Sequence, residues 1–484
     1  MSKNTEATTI QSNPKSSADG WRGVIGKDFT RASALRVVQS ILDASPSGPA
    51  RQKILIAFDS RTLSREVAED AAIAVLRLRK IVPVLVRFLP TATASFLTAN
   101  GFDFAILVTA SHNPPNWNGI KLKVANGLPA SQELVAAIDK CLSSTCRGDS
   151  EAPESARGHS INIEEADEYI DLHIKNILTR TRVKHRPFRV VVDGLGGIGE
   201  FAMVRLGAEL GWYVIPCGGK PSFTFGGASP DPSKPEARQR TRLRILQEGA
   251  DFGIVLDGDG DRIYILDEAG NTILPHDLMA LILRHEIDAG SRISRVAITQ
   301  STGMSIRRAA AHFGVALSET QIGFKYLAPM LLSGDADIAG GAVGDLAVRG
   351  WSTDRDPFAI ATLVSEMLSS GSTPLSCQVK EMHDHFGTAR LVWLENFFEV
   401  PVLPTPAQYA GILSRLGTAL EFTESRLTEL VGGTVRLTSN DKQWLMFRSS
   451  TTEHGVRLYG EVTNLAKMSV PAIAVKILSE LQPH

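Results

Sequence analysis

The chain has 484 residues, 43% hydrophobic and 21% charged, which is enough to form about three or four globular domains. Its 51 basic and 52 acidic residues leave a formal net charge of −1, which excludes the basic surface of a nucleic-acid-binding protein. No apolar run reaches the roughly 20 residues that span a bilayer, and the polar N-terminus lacks the apolar core of a secretory signal. We therefore expect a cytoplasmic protein without nucleic-acid or membrane partners.

The first part of the chain is predicted to alternate strands with helices. Lys53–Phe58 and Val82–Phe88 are short apolar runs that predict strands, and the segment between them has the periodicity of a helix. A third apolar run, Phe104–Val108, ends at Thr109-Ala110-Ser111. Because strands that alternate with helices form parallel sheets, this part predicts an α/β domain.

The same alternation recurs twice before the pattern changes. The second unit has predicted strands at Phe188–Val192, Trp212–Ile215, Phe252–Leu256 and Arg262–Leu266 and a helix at Phe201–Leu210. The third unit begins with a strand at Ser294–Thr299 and a helix-like stretch, MSIRRAAAHF. The C-terminal part mixes helix-like stretches with strand runs at Gln443–Phe447 and Val456–Tyr459, which predicts a smaller α+β domain.

Ser111 follows a predicted strand in the stretch VTASHNPPNWNGIKL, where a turn would expose its hydroxyl. His112 is adjacent and Lys121 lies ten residues on, so the loop presents a hydroxyl, a proton carrier and a cation together. Considered alone, a serine in such a stretch is most often an ordinary turn residue. A Ser–His hydrolase is the functional alternative, but no GxSxG elbow surrounds Ser111.

The stretch IVLDGDGDRIYIL carries three carboxylates, Asp257, Asp259 and Asp261, on one short loop between apolar runs. Three carboxylates this close repel one another unless a cation neutralises them, and hard oxygen ligands suit magnesium or calcium. An EF-hand is excluded because Arg262 stands where that loop requires glycine, and the flanks look like strands. A cation beside a phosphate, with Arg262 close by, fits phosphoryl transfer.

Two further stretches are weaker signals. DGLGGIG, beginning at Asp193, matches a dinucleotide fingerprint, but no carboxylate follows the next strand, so a glycine turn that packs a strand against a helix is the better interpretation. RSSTTEHGVRLY, from Arg448 to Tyr459, places hydroxyls between two arginines, which is a possible phosphate site or simply a polar turn.

Together, TASHNP with NGIK and the DGDGDR loop resemble the α-D-phosphohexomutases, the family of phosphoglucomutase, phosphomannomutase and phosphoglucosamine mutase. The resemblance runs from about Gly20 to the C-terminus. Trp21–Gly26 looks like the N-terminal element of that family, Phe225–Gly227 like the segment before its metal loop, and Gly323–Tyr326 like the GFKY of its phosphoglucomutase branch.

The resemblance implies three related α/β domains and a C-terminal α+β domain around a central cleft. The expected segments are a disordered tail (1–19), domain I with a phosphoserine loop (20–160), domain II with a metal loop (161–280), domain III with a sugar-binding loop (281–378) and domain IV with a phosphate-binding loop (379–484).

The resemblance also implies a mechanism, in which a phosphoserine passes its phosphoryl group to a sugar phosphate and regains one from the bisphosphate intermediate. The implied catalytic residues are Ser111, His112, Arg22 and Lys121. Magnesium would be held by Ser111 with Asp257, Asp259 and Asp261. The implied substrate-binding residues are Arg262, Lys325, Asp345, Arg448, Ser450, Thr451, Thr452 and Arg457. A sugar bisphosphate is the expected activator, and the expected assembly is a monomer or homodimer.

The chain departs from the family where the family recognises sugar hydroxyls with a loop of the form GExSG. The corresponding stretch is Gly340–Asp345, GGAVGD, which lacks both the glutamate and the serine. The phosphate-binding loop, usually SGTEP, reads STTEH from Ser450. These differences predict a mutase for an atypical sugar, such as a modified hexose or a pentose. Two alternatives remain open: a catalytically impaired relative that binds a sugar phosphate or a protein as a regulator, and a one-way phosphatase or phosphotransferase.

Overall fold

The computed structural model describes residues 13–17, 19–45, 53–144, 161–182, 187–371, 373–439, 442–449 and 455–480, without the side chains of 464–469. Within these ranges, three α/β units are followed by an antiparallel sheet with two helices, which confirms the predicted fold class. In the described part of the chain, no helix is long and apolar enough to cross a membrane.

The first sheet has the strand order β1-β2-β6-β5-β3-β4-β7. Its strands are Lys15–Ser17 (β1), Gly20–Val24 (β2), Ile54–Phe58 (β3), Val84–Arg87 (β4), Phe104–Val108 (β5), Trp117–Lys123 (β6) and Ile163–Glu165 (β7). Its helices are Arg31–Ala44 (α1), Ser64–Arg79 (α2), Thr91–Ala99 (α3) and Gln132–Ser144 (α4). Strands β3 and β5 are parallel neighbours and every residue in them is buried, which explains their continuous apolar sequences.

The second sheet has the order β12-β11-β10-β8-β9. Its strands are Arg189–Asp193 (β8), Tyr213–Pro216 (β9), Phe252–Leu256 (β10), Ile263–Leu266 (β11) and Thr272–Ile273 (β12). The helices of this unit are Asp167–Leu178 (α5), Gly199–Glu209 (α6) and Pro235–Glu248 (α7). Strands β10 and β11 form an antiparallel pair, so the acidic loop between them lies at the carboxyl end of a fully buried strand.

The third sheet has the order β14-β13-β15-β16. Its strands are Arg295–Thr299 (β13), Ala316–Thr320 (β14), Ile338–Gly340 (β15) and Leu346–Val348 (β16). Its helices are Pro275–Asp288 (α8), Met304–His312 (α9), Ala328–Ser333 (α10), Pro357–Ser369 (α11) and Leu375–Phe386 (α12). Helix α11 is buried over nearly its whole circumference and packs against β16 and α8, which places it in the largest hydrophobic core.

The fourth sheet is antiparallel throughout, in the order β17-β21-β20-β19-β18. Its strands are Leu391–Glu399 (β17), Arg426–Leu430 (β18), Thr434–Thr438 (β19), Trp444–Ser449 (β20) and Gly455–Thr463 (β21). Helices Pro406–Ala419 (α13) and Asn464–Ser479 (α14) pack against each other and contribute to the same hydrophobic core.

The N-terminal boundary corrects the expectation that ordered structure begins near Gly20. Lys15–Ser17 pairs antiparallel with β2, in a register that places Lys15 opposite Arg22. Strand β1 was not predicted because its polar side chains form no apolar pattern. An edge strand pairs with its neighbour through backbone hydrogen bonds and does not need such a pattern. Residues 1–12 of the expected tail, and Ala18, lie outside the described ranges.

Candidate active site

Ser111 lies in the loop between β5 and β6 and is 1% exposed. Its φ of 52° is left-handed, a conformation that residues other than glycine rarely adopt. The hydroxyl of Thr109 accepts a hydrogen bond from the Ser111 N–H at 2.9 Å. The Ser111 hydroxyl donates to Oδ2 of Asp257 at 2.7 Å, so the serine and the acidic loop meet as predicted.

Arg61 holds the serine loop in this conformation, although sequence reasoning gave it no role. It donates hydrogen bonds to the carbonyl oxygens of four residues of the loop: Ser111 (2.6 Å), Asn113 (2.8 Å), Pro114 (2.8 Å) and Trp117 (3.0 Å). Its guanidinium also forms a fully buried ion pair with Asp59 at 3.1 Å. Arg61 lies just after β3 and Ser111 just after β5, and these strands are parallel neighbours. Because loops at the carboxyl ends of parallel strands meet at one edge of the sheet, this position could have predicted a contact between the two residues.

The acidic loop and the serine loop approach each other at Gly258. A Cβ on Gly258 would lie 2.6 Å from the carbonyl oxygen of Ser111, which any larger residue would displace. Gly197, in the glycine-rich turn after β8, packs against Gly258 in the same way, because a Cβ on Gly197 would lie 2.5 Å from the Gly258 carbonyl oxygen. The DGLGGIG stretch therefore supports the acidic loop from behind, consistent with its interpretation as a packing turn.

Asp257, Asp259 and Asp261 are buried, and one oxygen of each lies within 4.8 Å of the others. Burial and the two neighbouring carboxylates hold the pKa of Asp257 well above its usual range. Among the described residues, Oδ1 of Asp259 and Oδ1 of Asp261 are buried without a hydrogen-bond partner. Because oxygen atoms this deeply buried need a partner, the triad fits a hard divalent cation such as Mg²⁺.

Lys121 lies against the acidic loop rather than free in the cleft. Its Nζ is 2.6 Å from Oδ2 of Asp261, 2.7 Å from Oδ2 of Asp259 and 3.0 Å from Oδ2 of Asp19. Although burial alone would lower the pKa of Lys121, these carboxylates raise it above its usual value. Lys121 is therefore held as a cation against the acidic loop, which also contacts the Ser111 hydroxyl through Asp257.

Asp19 and Arg355 complete this buried charge cluster, and sequence reasoning missed both. Arg355 Nη2 lies 2.7 Å from Oδ2 of Asp19 and 3.2 Å from Oδ2 of Asp261. Asp19 belongs to the segment expected to be a disordered tail. Arg355 lies within the run Asp354-Arg355-Asp356, directly before α11. This charged run next to an apolar helix was the sequence feature that could have indicated a role for Arg355.

Arg22 and His112 lie on the cleft side of the serine. Arg22 Nη1 donates to Oδ1 of Asn113 at 2.6 Å. Nδ1 of His112 is 3.4 Å from the Ser111 hydroxyl. Burial and the nearby guanidinium groups hold the pKa of His112 well below its usual range, which favours the neutral form of its ring.

A cleft beside the serine loop is lined by residues from all four sheets and their loops. The first sheet and its loops contribute Asp19, Arg22 and His112, the second Arg262, the third Ala342, Val343 and Asp345, and the fourth Arg448 and Arg457. Positive side chains from separate sheets thus face one opening. This arrangement suits a ligand with anionic groups at both ends.

Arg448 and Arg457, predicted to bind substrate, are neighbours on strands β20 and β21. Arg448 donates to the Tyr459 hydroxyl at 3.3 Å, while its Nε has no hydrogen-bond partner in the described part of the chain. Arg457 Nη1 is 3.5 Å from Oε1 of Glu395, a cleft residue that was not predicted. The predicted Ser450, Thr451 and Thr452 lie outside the described residues.

Asp345 and Lys325, also predicted to bind substrate, make contacts within their own segments. Oδ1 of Asp345 accepts the N–H of Val343 at 3.3 Å, so this carboxylate stabilises its own loop. Asp345 also lines the cleft, and burial raises its pKa. Lys325 Nζ lies 5.4 Å from the centre of the Tyr326 ring, and the lysine is not among the described residues that line the cleft.

Family models for phosphoglucomutase/phosphomannomutase alpha/beta/alpha domains I, II and III match residues 14–146, 167–270 and 275–386. A phosphoglucomutase/phosphomannomutase of Thermococcus kodakarensis is 26% identical over 473 residues, which are 95% of this chain and 97% of that protein. A phosphoglucosamine mutase of Bradyrhizobium diazoefficiens is 28% identical over 448 residues, covering 92% and 93%.

The fold is similar to that of solved structures as well. The structure of a phosphoglucomutase/phosphomannomutase family protein from Burkholderia thailandensis matches with a TM-score of 0.74 at 20% sequence identity. The match covers 96% of this chain and 97% of that chain. The similarity therefore extends through the antiparallel C-terminal sheet.

Proposed function

Because this chain belongs to the phosphoglucomutase/phosphomannomutase family, we propose that it interconverts a sugar 1-phosphate and the corresponding 6- or 5-phosphate, with Ser111 as the phosphorylated residue. The chain is an isomerase of the intramolecular phosphotransferase type. The observation that carries the proposal is the 2.7 Å hydrogen bond from the Ser111 hydroxyl to Asp257, inside a buried triad that retains free carboxylate oxygens.

The proposed reaction consists of two phosphoryl transfers, from Ser111 to the sugar and from the sugar back to Ser111. In the first, a sugar hydroxyl attacks the phosphoryl group on Ser111, the bond between phosphorus and Oγ breaks, and the hydroxyl proton is transferred through His112 to Oγ. The resulting sugar bisphosphate reorients in the cleft. In the second step Oγ attacks the other phosphoryl group, the bond between that phosphorus and its sugar oxygen breaks, and the Ser111 hydroxyl proton is transferred through His112 to the sugar oxygen. The sugar leaves with its phosphate moved, and Ser111 is phosphorylated again. A sugar bisphosphate is accordingly the activator.

The surrounding cations position and neutralise the transferring group. Lys121, Arg22 and Arg262 lie around the serine loop, and Arg262 Nε has no hydrogen-bond partner among the described residues. Asp257, Asp259 and Asp261 would hold Mg²⁺, which supplies further charge neutralisation. Because phosphoryl transfer depends chiefly on positioning and electrostatics, these residues are sufficient for the chemistry.

The sugar-facing wall of the cleft supports an atypical substrate. The stretch Gly340–Asp345 lacks the glutamate and serine of the family loop, and Ala342 and Val343 line the cleft there beside Asp345. Apolar side chains leave the sugar hydroxyls that face them without partners, which costs about 1–3 kcal/mol for each buried group. We therefore expect a sugar that is shortened, deoxygenated or substituted at the positions facing these two residues, and poor turnover of glucose 1-phosphate.

Phosphorus NMR tests this proposal directly. The protein is mixed with Mg²⁺, a catalytic amount of sugar bisphosphate and a panel of hexose, modified hexose and pentose 1-phosphates. We expect a 6- or 5-phosphate signal to grow for at least one modified or shortened sugar. That signal should vanish in Ser111→Ala and persist in Ser60→Ala, which removes the hydroxyl of a serine that follows the parallel strand β3.

The other outcomes discriminate between the alternatives. Strong conversion of glucose 1-phosphate would sink the atypical-sugar proposal while leaving the mutase intact. Release of inorganic phosphate without an isomerised sugar would indicate a one-way phosphatase. A folded protein with phosphorylated Ser111 that converts nothing, yet still binds a sugar phosphate, would favour the regulatory relative.

A further inference from the structure

A second group of metal-ligating side chains lies away from the cleft, where α8 packs against α11. His285 and Glu286 are on the last turn of α8, and Glu366 is on α11. One ligand atom of each lies within 4.8 Å of the other two. This group has no part in the proposed phosphoryl transfer, and we call it the α8–α11 cluster.

The free atoms of the α8–α11 cluster point to a ligand. Among the described residues, His285 Nε2, Glu286 Oε1 and Glu366 Oε2 are all buried without a hydrogen-bond partner. The Glu286 and Glu366 side chains are 4% and 1% exposed, and Arg182 Nη1 lies 4.0 Å from Oε2 of Glu366. Nε2 of His285 lies 3.5 Å from Oε2 of Glu366, which is at the outer limit of a hydrogen bond.

The second carboxylate oxygen of Glu286 and of Glu366 accepts hydrogen bonds from neighbouring donors. These bonds fix the orientation of each carboxylate. Oε2 of Glu286 accepts from Arg182 at 2.7 Å and from Ser291 at 2.6 Å. Oε1 of Glu366 accepts from the backbone N–H of Arg182 at 2.6 Å and from the Thr181 hydroxyl at 2.8 Å. Carboxylates held in this way resemble metal ligands whose remaining oxygen is oriented by neighbouring donors.

We propose that the α8–α11 cluster binds a divalent transition-metal ion, Zn²⁺ in preference to Mg²⁺, through His285, Glu286 and Glu366. One imidazole nitrogen and two carboxylate oxygens suit Zn²⁺, whereas Mg²⁺ favours oxygen ligands alone. Zn²⁺ binds such ligands at roughly 2.0–2.2 Å, so the three atoms need only small side-chain movements to reach it.

Charge and access are consistent with this ion. Among the described residues, the two carboxylates pair with one guanidinium, that of Arg182, so with a neutral imidazole these groups carry a net negative charge in a buried place. A surface pocket lined by Arg182, Glu286 and Ser291 gives an entry path. The ion would link α8 to α11 and to the Thr181-Arg182 segment that follows α5, and would therefore stabilise the fold rather than catalyse.

Calorimetric titration of the chelator-treated protein with Zn²⁺, in excess Mg²⁺ to occupy the Asp257 triad, tests the proposal. We expect one Zn²⁺ site whose affinity falls at least roughly 100-fold in His285→Gln and in Glu366→Gln. Zn²⁺ should also raise the thermal unfolding midpoint of the wild type and not of these variants, which remain comparable to it without metal.

Two control variants identify competing sites. His385→Gln disrupts an exposed pair in which His385 Nε2 lies 3.4 Å from His312 Nδ1, another place where zinc could bind. Asp259→Asn disables the acidic triad. Zn²⁺ binding that disappears only with one of these controls would overturn the proposal. Absence of a Zn²⁺ site in the folded wild type would overturn it too, and would leave His285 and Glu366 as a simple ion pair.

Discussion

Arg61 is the side chain whose removal should most disturb the serine loop. Arg61→Ala leaves Asp59 as an unpaired buried charge and leaves four loop carbonyls without their donor. Breaking a buried ion pair in this way costs about 3–5 kcal/mol of folding stability. Displacement of Ser111 by about an ångström should also reduce phosphoryl transfer roughly 100-fold. Chemical denaturation and mutase assays measure the two effects.

Arg65→Ala is the matched control for this prediction. Arg65 lies on α2, close to Arg61 in the sequence, but is 67% exposed and pairs only with Glu69. Its removal should change stability by less than about 0.5 kcal/mol and leave activity unaltered. Equal effects of the two substitutions would show that Arg61 does not support the loop.

At the same residue scale, the sequence motifs pointed to Ser111 and Asp257, which the structure brings together, but not to the residues that contact them. Ser111 and Asp257 belong to short motifs, TASHNP and DGDGDR, whose residue types indicate phosphate and metal chemistry. Arg61, Asp19 and Arg355 were missed because their roles depend on contacts with distant segments, such as the 2.7 Å pair between Asp19 and Arg355. An isolated charge in a sequence does not indicate which distant partner it meets.

At the scale of elements, the N-terminus of α11 depends on Asp356. Its side chain accepts the N–H of Phe358 at 3.0 Å and of Ala359 at 3.2 Å, and lies 3.1 Å from Nε2 of His173. Asp356→Ala should therefore cost about 1–2 kcal/mol, within the range for a lost helix cap. Asp356→Asn keeps the capping oxygen and should cost less than half as much. Equal losses in denaturant titrations would contradict a capping role.

The junction of α12 with α8 should weaken at alkaline pH. Burial alone would lower the pKa of His383, but its hydrogen bond with Asp277 raises the pKa above the usual value. A raised folded-state pKa stabilises the protein fully below the unfolded value of about 6.5, and this contribution is lost as pH rises through the folded value.

The stability difference between wild type and His383→Gln should accordingly be largest near pH 6 and shrink towards pH 9. His385→Gln is the control, because it removes an exposed imidazole from the same helix. Denaturant titrations at several pH values measure both differences. A His383→Gln difference that grows with pH would reverse the sign and refute the assignment.

Element prediction succeeded where burial dictates residue type. Strands β5 and β10 occupy the predicted residues, Phe104–Val108 and Phe252–Leu256, because both are buried on all sides and hence continuously apolar. Strand β1 was missed because Lys15–Ser17 pairs through its backbone at a sheet edge. The predicted strand Val82–Phe88 is shorter, since only Val84–Arg87 pairs with its neighbours.

At the scale of the whole molecule, the cleft exists because the fourth sheet is attached to the third unit. Glu461 on β21 accepts the backbone N–H of Met304 at the start of α9, at 2.7 Å. Arg436 on β19 pairs with Glu319 on β14 at 2.9 Å. No local pattern encodes these contacts, so the sequence predicted a C-terminal α+β domain but not how this domain closes the cleft.

Substitution of Arg448 tests whether the fourth sheet contributes to ligand binding in the cleft. This arginine reaches the cleft from the fourth sheet, held over the Tyr459 ring with Nε free of partners among the residues described. If it binds the phosphate that is not being transferred, Arg448→Met should lose about 1.5–3 kcal/mol of binding, or roughly a 10- to 150-fold rise in KM. The value of kcat should change less, because the substitution leaves Ser111 and the acidic triad untouched.

Steady-state kinetics on the sugar identified by phosphorus NMR would measure this, with Arg426→Met as the control. Arg426 is an exposed residue on the outer strand β18 of the same sheet, so its loss removes an equal charge away from the cleft. A similar rise in KM for both variants would point to general electrostatic attraction. An unchanged KM in Arg448→Met would mean that the phosphate binds without the fourth sheet, and the proposed two-ended recognition would fail.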